Sequence, residues 1–188
     1  MDFNCQLCEL CQSRKQVVPP YGNFHSQIAL VGEAPGEQED LQGFPFVGRS
    51  GALLDKMIAT FFGGTRREVY ITNAVKCRPP KNRTPSPEEI RTCLGYLGQE
   101  LNRLEPSVIL CLGKSAATAV FQLFGLDVSG DSMGHLRTAD FPFYFRPTSE
   151  HPKECHVLVT YHPSYLLRQG GNIEISRLDF ERAKTFIG

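Results

Sequence analysis

Apolar positions along the chain fall into two alternating patterns. Short unbroken apolar runs recur at residues 27–32, 69–73, 108–112 and 156–161, each of strand length and apolar enough to be buried on both faces. Between them the apolar residues return at helical spacing. Leu53, Leu54, Met57, Ile58, Phe61 and Phe62 share one face, and Gly63-Gly64 stops the run. Ile90, Leu94, Leu97, Leu101 and Leu104 make a second stripe. Its start carries four concordant signals: Ser86 suits an N-cap, Pro87 the first turn, Glu89 a capping box, and the acidic residues the helix dipole. Further helices are expected from about Ser115, just past Gly113, and over residues 175–187. Residues 125–153 show no clear period and read as a strand or two with loops. Strands alternating with helices predict an α/β fold with a parallel sheet covered on both sides.

Composition narrows this picture in three ways. A length of 188 residues fits one domain over residues 1–188. Twenty basic against 20 acidic residues exert no global pull toward nucleic acid or membrane, so a polyanion contact must come from a local patch. There is no apolar run of membrane-spanning length, and MDFNCQLCEL lacks the basic region and apolar core of a secretory signal. A cytoplasmic protein is expected.

Seven cysteines in a reducing compartment point to metal ligands or buried thiols rather than disulfides. Cys5 and Cys8 form a CxxC pair that Cys11 extends, on an arm (residues 1–26) poor in strand signals. Cys77 follows the second strand, and Cys93 lies on the next helix. Together they could give four-sulfur coordination, which suits either zinc or an iron–sulfur cluster. The plainer alternative is a surface pair with unrelated buried thiols. Cys111, inside VILCL, reads as a core thiol, and Cys155 as incidental.

The most informative stretch is residues 30–47, LVGEAPGEQEDLQGFPFV. A buried strand ends in Gly32 and is followed by Glu33, a tight Ala34-Pro35-Gly36 turn, an acidic cluster and Phe46. Loops at the carboxyl ends of strands are where open α/β sheets bind ligands. This one has neither a phosphate-holding lysine nor GxGxxG spacing. It offers a carboxylate beside exposed backbone N–H groups with a ring nearby, equipment for gripping and attacking something flat and polar.

In order and spacing, CxxCxLxxxRxxVV, GEAPGEQED, GFPFVG with GALL, VYITNAVKCRPPKNRTP, the later Cys93, LGKSAA and HPSYLLR together resemble the family 4 uracil-DNA glycosylases, which carry a 4Fe–4S cluster. The resemblance covers most of the chain. It implies a three-layer α/β/α sandwich around a short, mostly parallel sheet, with the site at the strands' carboxyl ends. It also implies a 4Fe–4S cofactor on Cys5, Cys8, Cys77 and Cys93, with the N-terminal arm packed on it and Cys11 outside the pattern.

The same resemblance assigns roles in DNA repair by base excision. A base inside duplex DNA must be flipped into a pocket before chemistry on it can begin. Phe46 would stack on the uracil, and Asn73 would match its hydrogen-bonding edge, whose polarity cytosine reverses. Glu39 would lie near uracil C5 and exclude a thymine methyl group, or would simply be a solvated member of the acidic run. His162 would stabilise charge on uracil O2, and a backbone N–H around Ala34 would add support. Glu33 would stabilise the cationic sugar and orient the water. Leu166 would wedge into the space the base vacates, while Arg168, Ser164 and the helix start at Lys114 and Ser115 would contact phosphates. Arg78, Lys81, Arg83, Arg14 and Lys15 could form a basic surface or be ordinary solvated charges. No lysine occupies the matched catalytic positions, so a monofunctional enzyme is implied. Its partner would be uracil-containing DNA, single- or double-stranded, and the protein a monomer. Three alternatives remain at this level: a superfamily member acting on another base, a metal-dependent nuclease using Glu33, Glu37, Glu39, Asp40 and His162, and a non-catalytic nucleic-acid-binding module with zinc on its cysteines.

Overall fold

The computed structural model describes residues 1–139, 141–145 and 153–187. Among these, Tyr21–Gly22 (β1), Ile28–Gly32 (β2), Tyr70–Asn73 (β3), Val108–Leu112 (β4), Phe141–Phe145 (β5) and Lys153–Thr160 (β6) form one sheet in the order β1-β3-β2-β4-β6-β5. The four inner strands are parallel, and both edge strands run antiparallel to their neighbours. The inner strands are the four apolar runs of the sequence, which need burial on both faces. Register sets Gly32 beside Asn73 and Leu112 beside Thr160, so the carboxyl ends line up along one rim. From β2 the chain passes to β3 on one side and then returns to β4 on the other. Connections therefore diverge at β2, and a crevice opens above its end.

Alternation along the strands sorts the core into two layers. Ala29, Val31, Ile109, Cys111, Val157 and Val159 face helices α3 (Pro87–Leu104), α4 (Lys114–Leu123) and α5 (Met133–Thr138). Ile28, Leu30, Ile71, Leu110, Leu112 and Leu158 face α2 (Arg49–Met57), α6 (Pro163–Arg168) and α7 (Arg177–Thr185). A short helix, α1 (Glu37–Gln42), precedes α2. This is the three-layer α/β/α sandwich expected from the sequence. The Ser86 capping box opens α3 as its sequence requires, with Glu89 N–H donating to Ser86 Oγ and Ser86 N–H to Glu89 Oε2. The run to Phe62 continues past α2 as a π-helical turn, Ile58–Phe62, that Gly63 ends in left-handed geometry.

The sequence reading missed α5, in the stretch assigned to strands and loops. It has one buried residue, Leu136, so no apolar period marks it, and its start rests on Ser132 accepting the His135 N–H. Asp140 and residues 146–152 lie outside the described residues, so the loop part of that expectation falls there. The last helix begins at Arg177, after a 3-10 turn over Ile173–Ser176. Cys155 is fully buried like Cys111, and so belongs to the core.

The N-terminal arm is tied to the sheet and to α1. Val17 and Val18 are buried, and the Val18 N–H donates to the Lys76 carbonyl. The buried Asp40 carboxylate accepts the Lys15 and Gln16 N–H groups. Among the described residues, no helix is long and apolar enough to cross a membrane.

Candidate active site

At the rim of the sheet lies a cleft of about 460 Å³ whose lining includes Glu33, Ala34, Phe46, Asn73, His162 and Arg168. Three strand ends deliver Glu33 and Ala34 (β2), Asn73 (β3) and His162 (β6), and the loop between α1 and α2 delivers Phe46. Past its end β2 goes on pairing, with Ala74 N–H on the Gly32 carbonyl at 2.8 Å and Val75 N–H on the Glu33 carbonyl at 3.1 Å. Glu33 and Asn73 are thereby carried side by side. A Cβ on Gly32 would lie 2.4 Å from both Phe46 Cζ and Asn73 Oδ1, so only bare backbone lets ring and amide approach there.

Phe46 sits at φ 54°, an unusual left-handed conformation for a residue with a large side chain. Its surroundings enforce it. Arg66 Nη2 donates to the Phe46 carbonyl at 2.5 Å and Nη1 to the Pro45 carbonyl at 3.3 Å, while Arg66 Nε pairs with Asp55 at 2.8 Å. Gly51 on α2 admits the Phe46 carbonyl, which any Cβ there would strike at 1.7 Å. The ring is buried and lies 5.9 Å from the His162 ring, tilted by 34°.

Glu39 is occupied by backbone. Its Oε2 accepts the Gly36 N–H at 3.0 Å, and its Oε1 accepts the Val47 and Gly48 N–H groups at 2.8 Å each. The carboxylate therefore clamps the Glu33 loop to the Phe46 loop, which excludes the reading of a freely solvated side chain.

Asn73 is 4% exposed, and its Oδ1 is buried without a hydrogen-bond partner. Such an orphan acceptor is destabilising unless something fills it. His162 closes the other side as the N-cap of α6. Its Nδ1 accepts the Ser164 N–H at 3.1 Å and lies 2.8 Å from Ser164 Oγ. A nitrogen that accepts an N–H carries no proton, so the neutral ring holds its proton on Nε2. Burial, reinforced by the charge of Arg168, pushes the His162 pKa from 6.5 down to about 4, with Glu39 opposing. The ring is neutral near pH 7.

The cysteines gather on the α3 side of the sheet. Cys77 and Cys93 are buried in that layer, and Cys8 packs against it. Burial pushes the thiol of Cys77 up to about 12 and raises Cys93 and Cys8, each also feeling the charge of others in the group. Cys77 feels the charge of Cys93 and Cys8, and Cys93 that of Cys8 and Cys5, so the four lie within electrostatic range of one another; Cys8 also feels Cys11. Arg14 spans the group, with Nη1 3.5 Å from Cys77 Sγ and Nη2 2.6 Å from the Cys5 carbonyl. Among the described residues, no three His, Cys, Asp or Glu side chains are grouped as a single metal ion would hold them.

A family model described as the uracil DNA glycosylase superfamily matches residues 19–184. The type-4 uracil-DNA glycosylase of Archaeoglobus fulgidus is 39% identical over 186 residues, covering 99% of this chain and 89% of that protein. That of Thermotoga maritima is 41% identical over 187 residues, covering 97% and 89%. The type-5 uracil-DNA glycosylase of Pyrobaculum aerophilum is 30% identical over 175 residues, covering 86% and 71%. The chain belongs to the uracil-DNA glycosylase superfamily.

Set on this superfamily member, the sequence-derived residues divide into three groups. Glu33, Ala34, Glu39, Phe46, Asn73, His162, Ser164 and Arg168 all line the one cleft. Lys114 and Ser115 stand beside it at the start of α4, where the preceding Gly113 backs onto His162, a Cβ there falling 3.1 Å from His162 Cβ. Leu166 requires a correction. It is fully buried beneath α6 in the layer with Leu112, Leu158 and Phe180, and a side chain so packed cannot enter DNA without leaving the core. The exposed neighbour on that helix is Tyr165, stacked on Tyr161 with ring centroids 4.7 Å apart.

The nuclease alternative also fails on geometry. Asp40 is buried under two backbone amides, Glu39 is committed to three, and Glu37 points to Arg78 at 3.6 Å, so the acids do not converge with Glu33. The expected basic surface is partly neutralised, Arg83 pairing with Glu89 and Arg14 turning inward to the cysteines. Two residues escaped the sequence reading, Arg66, which holds Phe46, and the fully buried Lys76, while Asp40, read there only as one of the clustered acids, holds the arm. The only signal for Lys76 was a charged residue between the Asn73 strand and Cys77.

Proposed function

We propose that this protein is a monofunctional DNA repair glycosylase that takes uracil flipped out of DNA and hydrolyses its N-glycosidic bond. The abasic strand is left intact. The observation that carries the reading is that Asn73, whose buried amide oxygen has no hydrogen-bond partner, lines the same cleft as a neutral imidazole protonated on Nε2. Uracil offers N3–H between two carbonyls. Asn73 Oδ1 accepts that N–H while its Nδ2 donates to O4, and His162 Nε2–H donates to O2. Cytosine presents the reverse polarity and leaves both amide atoms mismatched.

The residues then divide the work of bond cleavage. Phe46 gives the base a face to stack on. The base departs as an anion, and His162, together with backbone N–H near Ala34, stabilises charge building on it without giving up a proton, as oxyanion donors do. Half-buried Glu33 stabilises the cationic sugar and orients the attacking water. Ser164, Arg168, Lys114 and Ser115 contact phosphates of single- or double-stranded DNA. Among the described residues, no lysine lines the cleft to form a Schiff base with the sugar.

The cysteine site fits a 4Fe–4S cluster on Cys5, Cys8, Cys77 and Cys93: Cys77, Cys93 and Cys8 lie against one apolar wall, Cys5 is buried within range of Cys93 and Cys8, and Arg14 favours the thiolate of Cys77. Bound there, the cluster supplies a structural cross-link between the arm and α3. Residues 1–188 act as one domain, in a monomeric cytoplasmic protein whose arm packs on the cluster.

The test is base release from oligonucleotides carrying uracil, hypoxanthine, xanthine or mismatched thymine, with and without EDTA. Free uracil from an uncut strand, insensitive to EDTA, is expected. Cleavage abolished by EDTA, or release of another base in preference, would overturn the reading. Broad visible absorbance of anaerobically purified protein is expected, and a colourless protein holding zinc would refute the cluster.

A further inference from the structure

Lys76 is 1% exposed, among the largest side chains the fold buries completely. A buried ammonium is destabilising unless its donors are used, and this one uses three. Nζ donates to Thr72 Oγ1 at 2.6 Å, to the Asn73 carbonyl at 2.6 Å and to Glu100 Oε2 at 2.8 Å. Thr72 Oγ1 donates to the same carboxylate oxygen at 2.8 Å.

These contacts converge on the peptide that follows Asn73. The Ala74 N–H of that peptide is held by the Gly32 carbonyl at 2.8 Å, and its carbonyl is held by the Lys76 ammonium. Both ends of one rigid plane are anchored, which fixes the direction in which Asn73 leaves the strand. Side chains alternate along a strand, so Thr72 and Asn73 point to opposite faces. Thr72 meets Glu100 of α3, whereas Asn73 Oδ1 lies at Gly32 and Phe46. Lys76 is thus behind the sheet, with its ammonium held away from any base in the cleft.

We infer that Lys76, braced by Thr72 and Glu100, is a positioning residue that aims the Asn73 amide at the base and so sets how well uracil is read. The inference rests on the uracil reading above and deepens it. A charge-assisted bond to a carbonyl is short and directional, and small misplacement of a recognition group is enough to slow a reaction strongly.

The test is a double-mutant cycle of Lys76→Met with Asn73→Ala, reading single-turnover uracil release and inhibition by free uracil in the intact protein. Lys76→Met should slow release by about tenfold to a hundredfold and weaken free-uracil inhibition in parallel. In the Asn73→Ala background it should change either by less than about twofold, since the two residues act through one another. Losses that multiply in the double variant, or a Lys76→Met protein that matches wild type, would overturn the inference. Should Lys76→Met not yield folded protein, Glu100→Gln and Thr72→Val run the same cycle with the same two outcomes. Wild-type release of uracil is measured alongside, so failure of the uracil reading shows in the parent and failure of the positioning role only in the cycle.

Discussion

The Ser164 N–H points at His162 Nδ1 from 3.1 Å, and that one contact decides where the imidazole keeps its proton. With Nδ1 accepting, Nε2 must donate, so the ring reaches the cleft as a neutral hydrogen-bond donor. A lowered pKa follows from burial and Arg168, with Glu39 pulling the other way. The native group charges only near about 4, against 6.5 when exposed. Between those values the unfolded chain binds a proton that the native one does not. This group's contribution to stability is therefore intact above 6.5 and is lost as pH falls toward about 4. Single-turnover uracil release should show no break at 6.5, where an exposed histidine would titrate. Ser164→Ala keeps the backbone donor and should lose less than about tenfold, whereas His162→Ala should lose about 10²-fold or more.

Glu39 should behave as a clamp. Replacing it with Gln turns an amide nitrogen or a weaker oxygen toward backbone N–H groups at Gly36, Val47 and Gly48. Stability should fall by about 1–3 kcal/mol in urea denaturation, and uracil release should slow with it, because the Glu33 and Phe46 loops lose their common anchor.

The sequence announced the strands and long helices because burial on both faces, or one apolar stripe, leaves a period that can be counted. Ser86, Pro87 and Glu89 marked a helix start to the residue for the same reason: capping chemistry is local. Leu166 was misread because two adjacent leucines on a short helix carry no mark of which one faces inward; only packing against Phe180 and Leu158 decides it. Glu39, Arg66 and Lys76 act on backbone groups brought near by the fold. Glu39 binds amides 8 and 9 residues away and Arg66 a carbonyl 20 residues away, separations that no spacing rule anticipates.

Leu166→Ala should therefore register as a core truncation, lowering stability by about 2–5 kcal/mol by chemical denaturation. Arg168→Ala should leave stability nearly unchanged. Its effect should appear in DNA affinity, with the slope of log affinity against log salt reduced by about 1 if it contacts one phosphate.

Replacing Cys77 or Cys93 with Ser should remove the visible absorbance and the soluble, folded protein together. Metal binding and folding are one equilibrium at such sites. Cys111→Ser and Cys155→Ser should retain the absorbance and lose only stability, since both thiols are fully buried on β4 and β6 and Cys111 feels Cys155 rather than the other cysteines.

One missing carbon at Gly32 sets how closely the Phe46 ring and the Asn73 amide approach the end of β2. The Phe46 ring and the Asn73 amide both close on the bare backbone there, and a single methyl group would strike the two of them. Attempts to retune this protein toward a larger base cannot draw room from that wall, since it holds no atom left to remove. Any widening has to come from the opposite side, where the Phe46 loop is held by Glu39 and Arg66 and where loosening either anchor trades order for space.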